Sequence, residues 1–80
     1  MVTMQQSEMI PEQSFFAVFC IESLADELAI PGSEIYKKLA EDSDILDTYI
    51  TPYYDALHTQ GKSYIVRELI ELMQKKGVLE

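Results

Sequence analysis

Residues Tyr53 to Val66, Y-Y-D-A-L-H-T-Q-G-K-S-Y-I-V, set the only histidine of the chain among three tyrosines, an acid, an amide, two hydroxyls and a lysine. Catalysis by His58 would require a nucleophile or acid within hydrogen-bond reach and a third group to orient the ring. On a helix, Tyr54 at i−4 and Asp55 at i−3 share a face with His58, so a Tyr-Asp-His trio is geometrically open. A plainer role competes with it. His58, Thr59 and Gln60 fall in the last turn before Gly61, where side chains bond free carbonyls and a protonated histidine suits the helix dipole. Tyr53, Tyr54 and Tyr64 then supply apolar area with a wet hydroxyl end. The turn is favoured, and Tyr54, Asp55 and His58 remain as an alternative polar cluster for a small ligand or a reaction.

Other chemistries are poorly provided for, and no catalytic, cofactor-binding or metal-ligating set is expected. Glu41, Asp42, Asp44 and Asp47 are acidic and close in sequence, but a calcium loop needs oxygen donors at positions one, three and five, glycine at six and glutamate at twelve. Counted from Asp42, those later positions hold Leu46, Asp47 and Tyr53. A structural zinc site needs about four cysteine or histidine ligands, and the chain has one of each. The stretch Ile30 to Leu39 has the outline of a helix-turn-helix. Its second segment offers base edges and phosphates only Lys37 and Lys38, followed by Glu41, Asp42 and Asp44.

The whole chain carries 14 acids against 6 bases, a formal charge of −8. Nucleic-acid binders gain much of their affinity by neutralising phosphates, so this field repels nucleic acid and anionic membrane surfaces and neither is expected as a partner. Nucleic-acid binding would need folding to assemble a basic patch from Lys37, Lys38, Lys62, Arg67, Lys75 and Lys76. Before His58 the only bases are Lys37 and Lys38. Such a charge favours solubility and a basic partner. With a single cysteine, Cys20, there is no internal disulfide. The longest apolar run, Phe15 to Ile21, has seven residues, against the roughly 20 needed to span a bilayer. No signal-peptide pattern stands at the start. A cytoplasmic protein is expected.

Eighty residues make one domain, which buries about 60–65% of the surface its unfolded chain exposes. Ligand pockets of about 300–1,000 Å³ would hollow out much of it, so an enzyme is not expected. Met1 to Ile10 has no period and is expected as a flexible tail, with residues 11–80 as a single helical domain. The architecture predicted is all-α, a small bundle of four to five helices.

Pro11 suits a first helical position, and Phe16, Cys20, Leu24 and Leu28 recur every four residues up to about Ala29. Ile30-Pro31-Gly32 ends that helix. Ser33 is the expected cap of a second helix to about Glu41, and Asp44 of a third short segment holding Ile45, Leu46, Tyr49 and Ile50. Thr51-Pro52 is expected to start a helix to about Gln60, closed by Gly61 in the left-handed conformation. Ser63 is the expected cap of a last helix carrying Ile65, Val66, Leu69, Ile70, Leu72 and Met73 on one side, stopped by Gly77.

The run Phe15-Phe16-Ala17-Val18-Phe19-Cys20-Ile21 is apolar all round for two turns. Either the first helix is central and surrounded by the others, or Phe15 and Phe19 form a sticky patch for another protein or a second copy. Glu22 and Asp26 continue the same side. Cys20 reads as a buried small hydrophobe.

Leu57-His58-Thr59-Gln60-Gly61 followed by Tyr64-Ile65-Val66, with Phe19-Cys20-Ile21-Glu22 and Glu34-Ile35-Tyr36, resembles the bacterial family called domain of unknown function 3791, over about residues 14–75. The resemblance implies a small helical cytoplasmic protein without an assigned activity or assigned functional residues. It also implies a setting beside toxin-like proteins of the ADP-ribosyltransferase type, and with it a binding or neutralising role. Together these features favour an acidic helical interaction module, binding another protein or itself as a homodimer. The alternative is a small ligand binder or enzyme using Tyr54, Asp55 and His58.

Overall fold

The computed structural model describes residues 11–79; the expected N-terminal tail lies outside the described residues. The described chain is all-α and contains no strand, as the periodicities predict. Helix α1 runs from Pro11 to Leu28, α2 from Gly32 to Ala40, α3 from Tyr54 to Leu57 and α4 from Lys62 to Lys75, with a π-helical segment at Leu46–Ile50. Helix α1 packs against both α2 and α4, and α2 also meets the π segment.

Each long helix contributes one face to a shared core. Cys20 and Leu24 of α1, Ile35 and Leu39 of α2, and Leu69 and Met73 of α4 are fully enclosed. Ile45, Ile50 and Leu57, from the segments between α2 and α4, belong to the same core. Burial of each such side chain stabilises the fold by about 1.5–3 kcal/mol. Ser23 is also buried.

Helix α1 stops at Ala29, which takes the left-handed conformation with φ 56°. The Ile30 N–H then reaches back to the Ala25 carbonyl at 3.2 Å, a helix-ending bond usually paired with glycine. The end of α4 repeats the device with the usual residue: Gly77 has φ 78°, and the Val78 N–H bonds the Met73 carbonyl at 3.0 Å. Val78 and Leu79 fold back onto the core. The Val78 carbonyl accepts from Lys38 Nζ at 3.0 Å, tying the end of the chain to α2.

Several caps differ from expectation, for a common reason. Ser33 and Ser63 are each the second residue of a helix, not its cap. The chain is already extended at Pro31 (ψ 144°) and at Gly61 (ψ 158°), so those residues occupy the cap position. The Pro31 carbonyl accepts from Glu34 and Ile35 N–H at 3.0 and 3.1 Å, and the Gly61 carbonyl from Ile65 N–H at 3.1 Å. Gly61, at φ −73°, is therefore not left-handed and opens α4 instead of closing the helix before it. Asp44 makes no side-chain cap to the π segment; its carboxylate pairs with Lys76 at 3.0 Å. Ser43 Oγ instead accepts from Ile45 N–H at 3.3 Å while donating to the Lys38 carbonyl at 2.7 Å.

The helix expected from Pro52 to Gln60 shrinks to the single turn of α3. Thr51 has helical backbone angles, φ −70° and ψ −51°, and its N–H bonds the Leu46 carbonyl at 3.0 Å, five residues back. It ends the π segment and does not start a new helix. A proline ring inside a helix collides with the carbonyl four residues earlier, here that of Thr48. A widened turn just before Pro52 relieves that collision.

Candidate interaction surface

Two groups singled out from the sequence, Phe15 with Phe19 and Tyr54 with His58, are linked through Phe16, whose ring meets both Phe19 and Tyr54. Successive α1 residues rotate by about 100°, so Phe15, Val18 and Phe19 at i, i+3 and i+4 share one stripe. All three are exposed, at 75%, 50% and 39%. Helix α1 is thus not surrounded: α2 and α4 cover its other sides and leave this one open. Val18 belongs to the stripe, although the sequence reading singled out only the two phenylalanines. Its i+3 spacing from Phe15 was the available signal.

From this stripe a row of rings leads to α3. Phe19 lies 6.2 Å from Phe16 between ring centroids, and Phe16 meets Tyr54 edge-on at 5.5 Å. Tyr54 stacks on His58 at 4.4 Å, with the planes only 11° apart. Phe16 is buried and Tyr54 half-buried. Both ends of the row, Phe19 and His58, are exposed, and Phe16 between them ties it to the core. Such edge and stacked contacts are worth about 0.5–1.5 kcal/mol each beyond their burial. No spacing rule links residue 16 to residue 54, so the row was not legible in the sequence.

His58 itself is a helix-end residue. Its backbone N–H and its Nδ1 both reach the Tyr54 carbonyl, at 2.9 and 2.7 Å. A carbonyl oxygen only accepts, so Nδ1 carries a proton and Nε2 is left to solvent. Thr59 Oγ1 likewise donates to the Ala56 carbonyl at 2.8 Å. Asp55 is exposed, and among the described residues no hydrogen bond or ion pair joins it to His58. The structure therefore brings Tyr54 and His58 together ring to ring and does not join Asp55 to the pair.

Of the four acids singled out between residues 41 and 47, Asp42 and Asp44 have side-chain partners. Lys37 pairs with Asp42 at 3.0 Å, and that hydrogen bond and charge raise the lysine pKa. Lys76 does the reverse for Asp44, lowering its pKa chiefly through their hydrogen bond. Both pairs are solvent-exposed, where ion pairs contribute little. Among the described residues no three His, Cys, Asp or Glu side chains are placed to hold a metal ion. Burial pushes the Cys20 thiol up to about 12, so it stays protonated. Tyr49, also raised mainly by burial, leans on the exposed ring of Tyr53 at 5.5 Å.

An open groove of about 570 Å³ runs between α1 and α4, lined by Glu27, Lys62, Ser63, Val66, Arg67, Ile70 and Glu71. It touches neither Phe15 nor His58. Among the described residues no helix is long and apolar enough to cross a membrane. No curated protein and no solved structure matches the chain. One family model does match, over residues 15–76, from the exposed Phe15 to just past the end of α4. The chain belongs to that family, described as Protein of unknown function (DUF3791).

Proposed function

We propose that this chain is a protein–protein interaction module whose contact surface is centred on Phe15, Val18 and Phe19 of α1. The observation that supports it is the exposure of three large apolar side chains in one helical stripe, whereas the large apolar side chains exposed elsewhere, Tyr36, Tyr53 and Tyr64, lie on other elements and each carries a polar hydroxyl. Stripes of this kind are the anchors by which one helix packs into another protein, and aromatic side chains are enriched at the centre of such contacts. A cytoplasmic setting agrees with the unpaired, buried Cys20. A binding or neutralising role toward a toxin-like protein would use the same surface.

The alternative, a ligand or reaction at Tyr54, Asp55 and His58, would draw on the free Nε2 of His58. Against it, the ring is exposed and stacked on Tyr54, with no acid bonded to it. The two separate in one experiment. Tagged wild type, Phe19→Asp and His58→Ala are used to capture proteins from native lysate, with folding checked by circular dichroism. A partner held by wild type and His58→Ala but lost from a folded Phe19→Asp is the expected result. A partner that stays with Phe19→Asp, or leaves with a folded His58→Ala, would overturn the proposal.

A further inference from the structure

The stripe on α1 does not end with Phe19. Glu12 lies one turn before Phe15 on the same side, and Glu22 and Asp26 follow Phe19 at i+3 and i+7. All three acids are exposed. None forms an ion pair among the described residues, since the two ion pairs there join Lys37 to Asp42 and Lys76 to Asp44. Helix α1 carries no lysine or arginine anywhere along its length, and α3 adds only Asp55. Lys62, the base closest to α3 in the sequence, and Arg67 line the groove on the α4 side together with Glu27, away from this stripe. The face thus has an apolar centre near the start of α1 and an uncompensated acidic continuation toward its end.

We infer that the partner of this face is a cationic amphipathic helix from another protein, with apolar residues set against Phe15, Val18 and Phe19 and lysine or arginine set against Glu22 and Asp26. The inference rests on the interaction surface proposed above and adds the class of partner. Charge complementarity selects it over a second copy of the chain. In a two-fold dimer the same patch meets itself, so the acids of one α1 would approach those of the other with no base on the face to offset them. Like charges brought together at an interface oppose association. A helix suits the shape, because a stripe at i, i+3, i+4 and i+7 is a ridge that another helix accepts between its own side-chain rows. A basic helix also gains in encounter rate from the net charge of −8.

The test uses the full chain and two synthetic peptides of identical helical spacing, one of leucine and lysine, the other of leucine and glutamate. Binding is followed by isothermal titration calorimetry for wild type, Phe19→Asp, the pair Glu22→Lys/Asp26→Lys, and a control pair Glu34→Lys/Glu41→Lys, on α2 and at its C-terminal cap. Both pairs change the net charge equally. The leucine–lysine peptide should bind wild type and the α2 control alike and weaken with salt. It should lose about tenfold or more in affinity with Phe19→Asp and several-fold with Glu22→Lys/Asp26→Lys. The leucine–glutamate peptide should not bind. Equal losses from the two charge pairs, or equal binding of the two peptides, would overturn the cationic-helix assignment while leaving the Phe15–Phe19 surface standing. Binding indifferent to a folded Phe19→Asp would remove the surface itself. A concentration-dependent dimer in sedimentation, abolished by Phe19→Asp and unaccompanied by peptide binding, would make a second copy the occupant and overturn the assignment.

Discussion

At the scale of single residues, His58 owes its proton position to one oxygen. The Tyr54 carbonyl takes both its backbone N–H and its Nδ1–H, which is how a histidine stabilises a helix end. His58→Ala should therefore lower stability by about 0.5–1.5 kcal/mol in urea denaturation and leave partner capture unchanged. Cys20 makes a second residue-level prediction. Its thiol is fully buried and its pKa is raised by burial from 9.0 to about 12. A thiol reagent at pH 8 should fail to label the native protein and label it fully in urea. The sign of the linked pH effect follows. The unfolded chain loses the thiol proton near 9 and the folded one near 12, so the stability from the buried neutral thiol is intact below 9 and is lost as pH rises toward 12. What the sequence revealed at this scale was uneven. Phe15 and Phe19 could be placed on the side of Glu22 and Asp26 from helical spacing alone, but whether that side was covered depended on where α2 and α4 pack. The Phe16–Tyr54 contact, joining residues far apart in the chain, carried no local signal.

At the scale of elements, α1, α2 and α4 were readable because their apolar residues repeat at helical spacing, and a 3.6-residue period survives whatever the helix packs on. Their starts were less readable. Serine is a strong cap by preference, yet at Pro31-Gly32-Ser33 and Gly61-Lys62-Ser63 the extended residue two places earlier supplies the first carbonyl. Ser63→Ala should consequently change stability by less than about 0.5 kcal/mol, where a true cap would lose about 1 kcal/mol. Nothing lies within 4 Å of a Cβ built at Gly61, and its φ is −73°. Gly61→Ser should stabilise by about 0.5–1 kcal/mol through a better cap and a less flexible unfolded chain. A left-handed Gly61 would give the opposite sign. Ala29 is the converse case. With φ 56° in a residue that bears a Cβ, Ala29→Gly should raise stability by about 0.5–1 kcal/mol, measured by the same urea curves. The π segment escaped the sequence because its widened turn answers to Pro52 and to packing of Leu46 and Ile50 into the core, not to any periodicity of its own.

At the scale of the whole molecule, one small core must hold every helix. Stabilities of small domains amount to only a few kcal/mol, and truncating a fully buried leucine costs about 2–5 kcal/mol. Leu24→Ala should accordingly leave the chain largely unfolded by circular dichroism at room temperature, whereas Phe15→Ala, which removes mostly exposed area, should unfold at nearly the same urea concentration as wild type. That contrast is the physical content of the proposed function: α1 is divided lengthwise between a side the fold requires and a side it does not. Net charge was legible from composition alone, but its concentration beside the apolar stripe became meaningful only once α2 and α4 were seen to leave that side open. The most direct measurement places a photo-crosslinking benzoyl-phenylalanine at position 15 and, as a control, at position 36, where Tyr36 of α2 is also exposed. Irradiation in native lysate should give a discrete adduct with another protein from position 15 and none from position 36. An adduct from position 36 alone, or the same adducts from both, would contradict the claim that the outer stripe of α1 is the surface this protein uses.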